Sequence, residues 1–270
     1  MTDSATSAPP VAPARGGRGP AVRVVDVTKE FAGGVRALDG VTFDVPRGEL
    51  TSVIGPSGCG KTTTLKIVAG LVEATSGRVE VDGVPVTAPG PDRAFVFQDF
   101  ALLPWATVLR NAAFGLELRG VPRREREEVA RHYVEKVGLS GFADAYPHQL
   151  SGGMRQRVGL ARALAVDADI LLMDEPFASV DEQIRRKFQE DLLALLADEH
   201  KTVIFVTHSI EEAVYVSDQV VIMTRGPSRV SKVVRPGVDR SGGSDAIRRS
   251  PAYLDWVERI WGELHDYLER

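Results

Sequence analysis

Gly55-Pro56-Ser57-Gly58-Cys59-Gly60-Lys61-Thr62 decides how this chain is read. It fits G-x-x-x-x-G-K-[ST] at every fixed position. Leu50-Thr51-Ser52-Val53-Ile54 before it reads as a buried strand, and Lys61 to Ala69 after it as a helix ending at Gly70. Strand, glycine loop, helix is the context in which such a loop holds phosphate. Gly58 and Gly60 lack Cβ atoms, so the backbone can wrap closely around an anion. Successive N–H groups form an anion-binding concavity, and the helix start adds the positive end of its dipole. Lys61 supplies an ammonium for β- and γ-phosphates. The Thr62 hydroxyl is placed to ligate Mg2+, and Thr63 offers a further phosphate contact. The competing reading is an ordinary glycine-rich turn, which does not require four fixed positions and both flanks to agree.

Working outward, the 270 residues allow one large domain or two small ones, enough to bury a core. A formal net charge of -4 gives no electrostatic reason to expect nucleic acid as a partner. Cys59 is the only cysteine, so no intramolecular disulfide forms, which fits a reducing compartment. No apolar run approaches the roughly 18 residues of a membrane span. Work at a membrane would require a partner to hold the chain there. Residues 1–20 are rich in Ala, Pro, Gly, Ser and Thr and lack an apolar h-region, so they read as a disordered tail rather than a secretory signal.

Val22 to Val27, Val41 to Val45, and Arg78 to Val81 followed by Asp82-Gly83 read as short alternating strands of an antiparallel β layer beside the main sheet. Phe31 follows the first of them. An aromatic there suits either stacking on a flat adenine ring or packing at the rim of the core. Ala94-Phe95-Val96-Phe97 reads as a strand buried on both faces that delivers Gln98 to an apolar loop, Phe100 to Trp105. Helical character runs from about Val108 to Gly138, with the mixed-sign patch Arg123 to Glu128 as a solvated face. Ser151 is expected to cap a helix reaching about Leu164, and Ser151-Gly152-Gly153 suits either an anion or a flexible turn.

Ile170 to Met173 reads as a central parallel strand ending in Asp174-Glu175. Ligand chemistry in open α/β sheets gathers at the carboxyl ends of strands. Asp174 is there placed to hold Mg2+ and Glu175 to orient a water; the alternative is an acidic cap at a strand–helix junction. After Asp181, the apolar positions Ile184, Phe188, Leu192, Leu195 and Leu196 form one helix face expected to pack on the sheet. Thr202 to Val206 is the next strand and ends at Thr207-His208, so His208 points toward the same crevice, as a structural histidine or a γ-phosphate contact. Ser209 and Glu212 form a capping box. Val220 to Met223 reads as the last sheet strand. Beyond Ser241, Leu254, Val257, Trp261, Leu264 and Leu268 make an amphipathic helix expected to pack on its own domain or to dock a partner.

This set of motifs resembles the ATP-binding subunits of ABC transporters. The loop at 55–62 looks like Walker A, Gln98 like the Q-loop, and Leu150 to Gly153 like the signature motif. Ile170 to Glu175 looks like Walker B with its catalytic glutamate, Ser179-Val180-Asp181 like the D-loop, and His208 like the switch histidine. Phe31 lies where that family places its adenine-stacking aromatic. Six motifs stand in order over roughly residues 22–225. Met154 in place of Gln, and Val180 in place of Leu, depart from the widest pattern without removing a charged group.

The resemblance implies an α/β fold of ABC ATPase type. That is a P-loop NTPase with a RecA-like core and parallel sheet, an antiparallel β layer and an α-helical subdomain over about 100–165. The ATPase domain would span 21–240 and a C-terminal helical extension 241–270. It also implies ATP and Mg2+ as ligands, with Thr62, Gln98 and Asp174 toward the metal. Two subunits would clasp ATP between the phosphate loop of one and Ser151, Gly153 and the neighbouring Asp181 of the other, while Glu175 and His208 handle the attacking water.

Phe97-Gln98-Asp99, Leu102-Leu103-Pro104-Trp105, Met154 to Arg157 and Arg225 to Arg229 look like the nitrate/sulfonate/taurine importer branch. Partners would then be a second copy, transmembrane permease subunits contacted by the 100–105 loop, and an external binding protein, at the cytoplasmic face of the cell membrane. Rival readings are an importer of an amino acid or vitamin precursor, a soluble ABC ATPase in DNA repair or on ribosomes, and a module that holds ATP without turnover. The last two sit poorly with a single phosphate loop, no basic patch, and an intact Glu175 and His208. Alkylation of Cys59 is expected to block nucleotide binding, with ATP protecting the thiol.

Overall fold

A computed structural model describes residues 19–178 and 180–268. Nearly all of the expected tail, 1–20, and Ser179 of the expected D-loop lie outside the described residues.

The chain opens with β1 (Val22–Phe31), β2 (Val35–Val45), β3 (Leu50–Ile54) and α1 (Lys61–Val68). It continues through β4 (Ser76–Val81), β5 (Val84–Pro85) and β6 (Arg93–Val96) into α2 (Val108–Leu118), α3 (Arg123–Lys136) and α4 (Gly152–Ala165). Strands and helices then alternate as β7 (Ile170–Asp174), α5 (Glu182–Glu199), β8 (Thr202–Val206), α6 (Ile210–Val216) and β9 (Gln219–Met223). Last come β10 (Val230–Val234), α7 (Ser244–Arg249) and α8 (Pro251–Leu268).

Among the described residues these strands make two sheets. One is antiparallel, in the order β2-β1-β4-β5, and is the expected β layer. The other runs β10-β9-β3-β8-β7-β6, parallel throughout except for β10. Every residue of β3, β7, β8 and β9 is buried, as a sheet covered on both faces requires. Alternation sorts their side chains: Leu171, Met173, Val203 and Phe205 face the helix-rich core, while Ile170, Leu172, Ile204 and Val206 face α1 and the antiparallel layer. The helices α2, α3 and α4 pack on one another. Thr107 and Ser151 cap α2 and α4, accepting from Arg110 and Met154 N–H at 3.3 Å each. Gly70, at φ 75°, closes α1 as expected, its N–H bonding to the Ile67 carbonyl at 3.0 Å.

Several expectations shift. The strand Val220 to Met223 is not the last: β10 pairs antiparallel on the outer side of β9, and its half-exposed Val-Ser-Lys-Val-Val sequence suits an edge. At the opposite edge, β6 buries Ala94 and Val96, while Phe95 and Phe97 are half-buried and meet ring to ring at 4.4 Å. Burial on both faces therefore fails there: Ala94 and Val96 face the helix-rich core, while Phe95 is only partly covered on the other face. Ile184 is 51% exposed and leaves the buried face formed by Phe188, Leu192 and Leu196. On α8 the buried stripe is Tyr253, Ile260 and Leu264, with Trp256 and Val257 half-buried, and it packs toward α6. Leu254 and Trp261 point outward, and Leu268 falls outside the described side chains. A 3-4 spacing fits two adjacent helix faces, and contact with α6 selects one of them.

A bulge in β1 at Asp26, φ 49°, nests over Gly77, φ 78°, in β4. A Cβ on Gly77 would collide with the Asp26 carbonyl. Gly77→Ala is expected to cost about 2–4 kcal/mol of stability. This would be read as a lower urea midpoint with unchanged slope; a parental midpoint would show that the bulge relaxes freely.

Candidate nucleotide and hydrolysis site

The loop between β3 and α1 is shaped by close approach. A Cβ on Gly55 would lie 2.8 Å from both Cys59 Sγ and the Met223 carbonyl. Gly60, at φ 99°, is the N-cap of α1 and sits over Leu38, whose Cδ2 would be 2.6 Å from a Cβ there. Gly60 has no side chain to cap α1, so the N–H groups of that first turn meet no side-chain cap, as an anion-binding helix start requires. Gly58 supplies another left-handed turn at φ 76°. Lys61 is buried, and its Nζ donates to the carbonyls of Gly55 at 2.9 Å and Pro56 at 3.1 Å. The ammonium thus lies across the loop. Pro56 contributes a second tie, its carbonyl accepting from Cys59 N–H at 3.2 Å. Ser57 is exposed at the loop's crest and Thr63 half-buried on the first turn of α1.

At the carboxyl end of β7, Asp174 is buried and Thr62 Oγ1 donates to its Oδ1 at 2.9 Å. Burial pushes the Asp174 carboxyl up, against the Thr62 hydrogen bond, and the Glu175 charge beside it raises it further. The ionised carboxylate is held at a cost that a cation beside it would offset. Among the described residues no group of three His, Cys, Asp or Glu side chains could hold a metal ion by itself. A Mg2+ that arrives with a nucleotide does not need one: it takes one or two carboxylates and fills its remaining positions with phosphate oxygens and water. Thr62 and Asp174 fit that donor set.

Glu175 takes φ 45°, uncommon for a side chain with a Cβ, and its N–H bonds to the Val206 carbonyl at 3.0 Å. The turn brings its Oε2 to 3.1 Å from Nδ1 of the exposed His208. A carboxylate only accepts, so Nδ1 carries the hydrogen. The expected capping box at Ser209 is half formed. Ser209 Oγ accepts from Glu212 N–H at 3.2 Å, but the Glu212 carboxylate takes the Thr207 hydroxyl, and that hydroxyl accepts from Ser209 N–H.

Gln98 is exposed just beyond β6. Phe100 and Ala101 follow with φ 61° and 45° in succession. Arg162 of α4, which the sequence reading passed over, holds them by donating to both carbonyls at 2.8 and 2.6 Å, while Arg155 lies over the Phe100 ring. Phe31 is 43% exposed at the end of β1, with Lys29 Nζ 5.2 Å from its ring centre. It is therefore a surface ring and not a core one.

Ser151 is exposed, Gly152 and Gly153 half-buried at the start of α4. A Cβ on Gly153 would touch Val180 at 3.6 Å and Ile184 at 3.8 Å. The Val180 departure and the outward Ile184 thus meet at this turn. Asp181 is exposed at the start of α5, its carbonyl accepting from Arg185 N–H at 2.7 Å. The structure brings the phosphate loop, Thr62, Asp174, Glu175 and His208 to one edge of the parallel sheet. The helix α1 docks on β7 and β8, whereas α4 docks on α2, α3 and β6, so Ser151 to Gly153 belong to a different face.

Residues 38–178 match the ABC transporter family. The chain is 50% identical over 248 residues to an uncharacterized ABC transporter ATP-binding protein of Methanocaldococcus jannaschii, covering 91% of each. It is 47% identical over 232 residues to a taurine import ATP-binding protein of Chromobacterium violaceum, covering 84% of this chain and 89% of that one. Its structure is similar to a dimeric ATP-binding cassette solved in a post-hydrolysis state bound to ADP and Pi. That likeness has a TM-score of 0.70 at 33% identity, covering 79% of this chain and 98% of the other.

Cys59 is 1% exposed, and burial pushes its thiol up, against the pull of Lys61. The fold thus shields the thiol before any nucleotide arrives, so the alkylation expected to block nucleotide binding would be slow. Iodoacetamide at pH 8 is expected to modify native Cys59 at least about 100-fold more slowly than the urea-unfolded chain. Mass spectrometry reads the rate, and comparable rates would contradict the buried placement.

Proposed function

This chain belongs to the ABC transporter family as an ATP-hydrolysing subunit, and we propose that it drives import of a small anion, with aliphatic sulfonates such as taurine the leading class. The observation that carries the chemistry is the meeting of Thr62–Asp174 and Glu175–His208 beside the phosphate loop. Support for the substrate class comes from the taurine-import relative and the Leu102-Leu103-Pro104-Trp105 loop. Nitrate, or a substrate outside the anions, would use the same motor, because the ATPase does not touch what is carried.

ATP enters with its phosphates in the loop 55–63. Lys61 exchanges the Gly55 and Pro56 carbonyls for β- and γ-phosphate oxygens, and the N–H groups at the start of α1 complete the cradle. Thr62, Asp174 and Gln98 would hold the Mg2+ that comes with the nucleotide, and the ion would supply neutralisation of phosphate charge. The Glu175 carboxylate accepts from the attacking water and orients it in line with the γ-phosphorus. His208 leaves Glu175 and donates to the γ-phosphate. Phe31 stacks on the adenine.

A second copy closes the site with Ser151, Gly152 and Gly153, and Asp181 lies at that seam. The Ser151 hydroxyl accepts from Met154 N–H and still has its own hydrogen to donate. Closure excludes water, and loss of the γ-phosphate contacts reopens the pair. None of the helices of the described residues is long and apolar enough to cross a membrane. Attachment at the cytoplasmic face therefore falls to permease subunits seated on the Phe100–Trp105 loop, where Trp105 is 70% exposed. An external binding protein delivers the anion to them.

Glu175→Gln is expected to keep ATP affinity and lose turnover by about 10²-fold or more in a steady-state phosphate-release assay. Parental turnover would remove Glu175 from its role. Affinity purification from native membranes is expected to recover a multi-span permease and an external binding protein that binds taurine or a related anion. Recovery only with ribosomes or nucleic acid would overturn the transport reading.

A further inference from the structure

The loop bearing His208 is gripped from behind by side chains that the proposed mechanism does not use. Thr207 and Glu212 are both buried. The Thr207 hydroxyl accepts from Ser209 N–H at 3.1 Å and donates to Glu212 Oε2 at 2.5 Å. The residues on either side of His208 are thus tied to one carboxylate. Glu212 Oε1 faces Gln189 Nε2 of α5 at 3.4 Å, with Arg185 Nε 3.9 Å away. Gln189, 2% exposed, accepts in turn from Arg248 of α7. The Arg248 guanidinium lies 4.1 Å from the centre of the Tyr215 ring and donates to the Tyr253 hydroxyl of α8 at 3.4 Å. That hydroxyl donates to the Glu211 carbonyl at 3.1 Å.

A continuous polar path therefore runs from the C-terminal helices to the backbone flanking His208. Buried polar networks act as units: when one donor is withdrawn, the desolvated acceptor it served must find another partner or move. Here the acceptor is a Gln189 amide oxygen whose own nitrogen serves Glu212. Freed from Arg248, Gln189 can turn away from Glu212. The carboxylate, still beside Arg185, then holds Thr207 differently.

We infer that Arg248, Gln189, Glu212 and Thr207 form a positioning relay through which α7 and α8 set the place of His208. The C-terminal segment is then part of the turnover apparatus. The inference rests on the reading of His208 as a γ-phosphate contact, and the test separates the two. Arg248→Met, Thr207→Val, Thr207→Ser and His208→Ala are compared with the parent full-length chain. The measurements are steady-state kcat, ATP affinity by nucleotide titration, and thermal melting. Arg248→Met and Thr207→Val are expected to lower kcat by about tenfold while ATP affinity stays within about twofold. Thr207→Ser, which keeps the hydroxyl, is expected to restore most of the rate. If Arg248→Met does not fold, Arg248→Lys, which keeps a donor but loses the flat stack, is measured in its place and is expected to fall between.

Parental kcat in the Arg248 and Thr207→Val variants, with turnover lost in His208→Ala, would overturn the relay alone. A fall in kcat matched by an equal fall in ATP affinity would mark general damage and overturn it too. Parental kcat in His208→Ala would overturn the reading of His208, and the relay with it.

Discussion

The central strands take a polar group only where a partner meets it, as Ser217 meets Ser52, and a charge only where they end. All residues of β3, β7 and β8 are buried, packed from both sides of the sheet. An unpaired charge within them would face a penalty that nothing nearby offsets. Charged side chains are thus displaced to the carboxyl ends or just past them, and the parallel register brings those ends level. Asp174 pairs with Val206 across β7 and β8, and the Glu175 N–H continues the ladder to the Val206 carbonyl. Glu175 and His208 meet because the register leaves them one residue past β7 and two past β8, just outside the same hydrophobic wall.

The same edge shows how much of the site's charge is held under tension. Asp174 is desolvated, Lys61 is folded onto its own loop, and Glu175 occupies a left-handed backbone conformation. Each arrangement is tolerable because a neighbour holds it: Thr62 for Asp174, two carbonyls for Lys61, Val206 and His208 for Glu175. A triphosphate and its cation would replace these holding contacts with stronger ones. The site is organised around exchange of partners, and such an edge answers to ligand without a large change of fold.

The phosphate loop was legible because backbone demands such as φ 76° at Gly58 and 99° at Gly60 fall directly on residue type. Gly55 and Gly60 are demanded by atoms within a few ångströms, and only residue type can meet that demand. The buried strands were legible because four or five apolar residues in a row have few other uses. What escaped was set by distant partners. The stripe that α8 buries, Tyr253 through Leu264 and not Leu254 and Trp261, was chosen by α6. The edge strand β10 carries too little apolar pattern to announce itself. Glu212 and Ser209 looked like a reciprocal cap, but Thr207 stood between them and took the carboxylate. Arg162 was one cation among many in the sequence, and only the folded chain shows two carbonyls waiting for it.

That arginine has a consequence for anyone recombining such proteins. Phe100 and Ala101 both stand in a backbone region that side chains avoid, costing about 1–3 kcal/mol apiece. Their carbonyls are pinned from α4, 62 and 61 residues further along the chain. The segment that would recognise a permease is therefore not a portable cassette. Transplanting residues 98–105 from a relative of different specificity would move the contact surface but leave behind the clamp that gives it shape. A chimera that respected the inheritance of this loop would have to draw its α4 from the same donor.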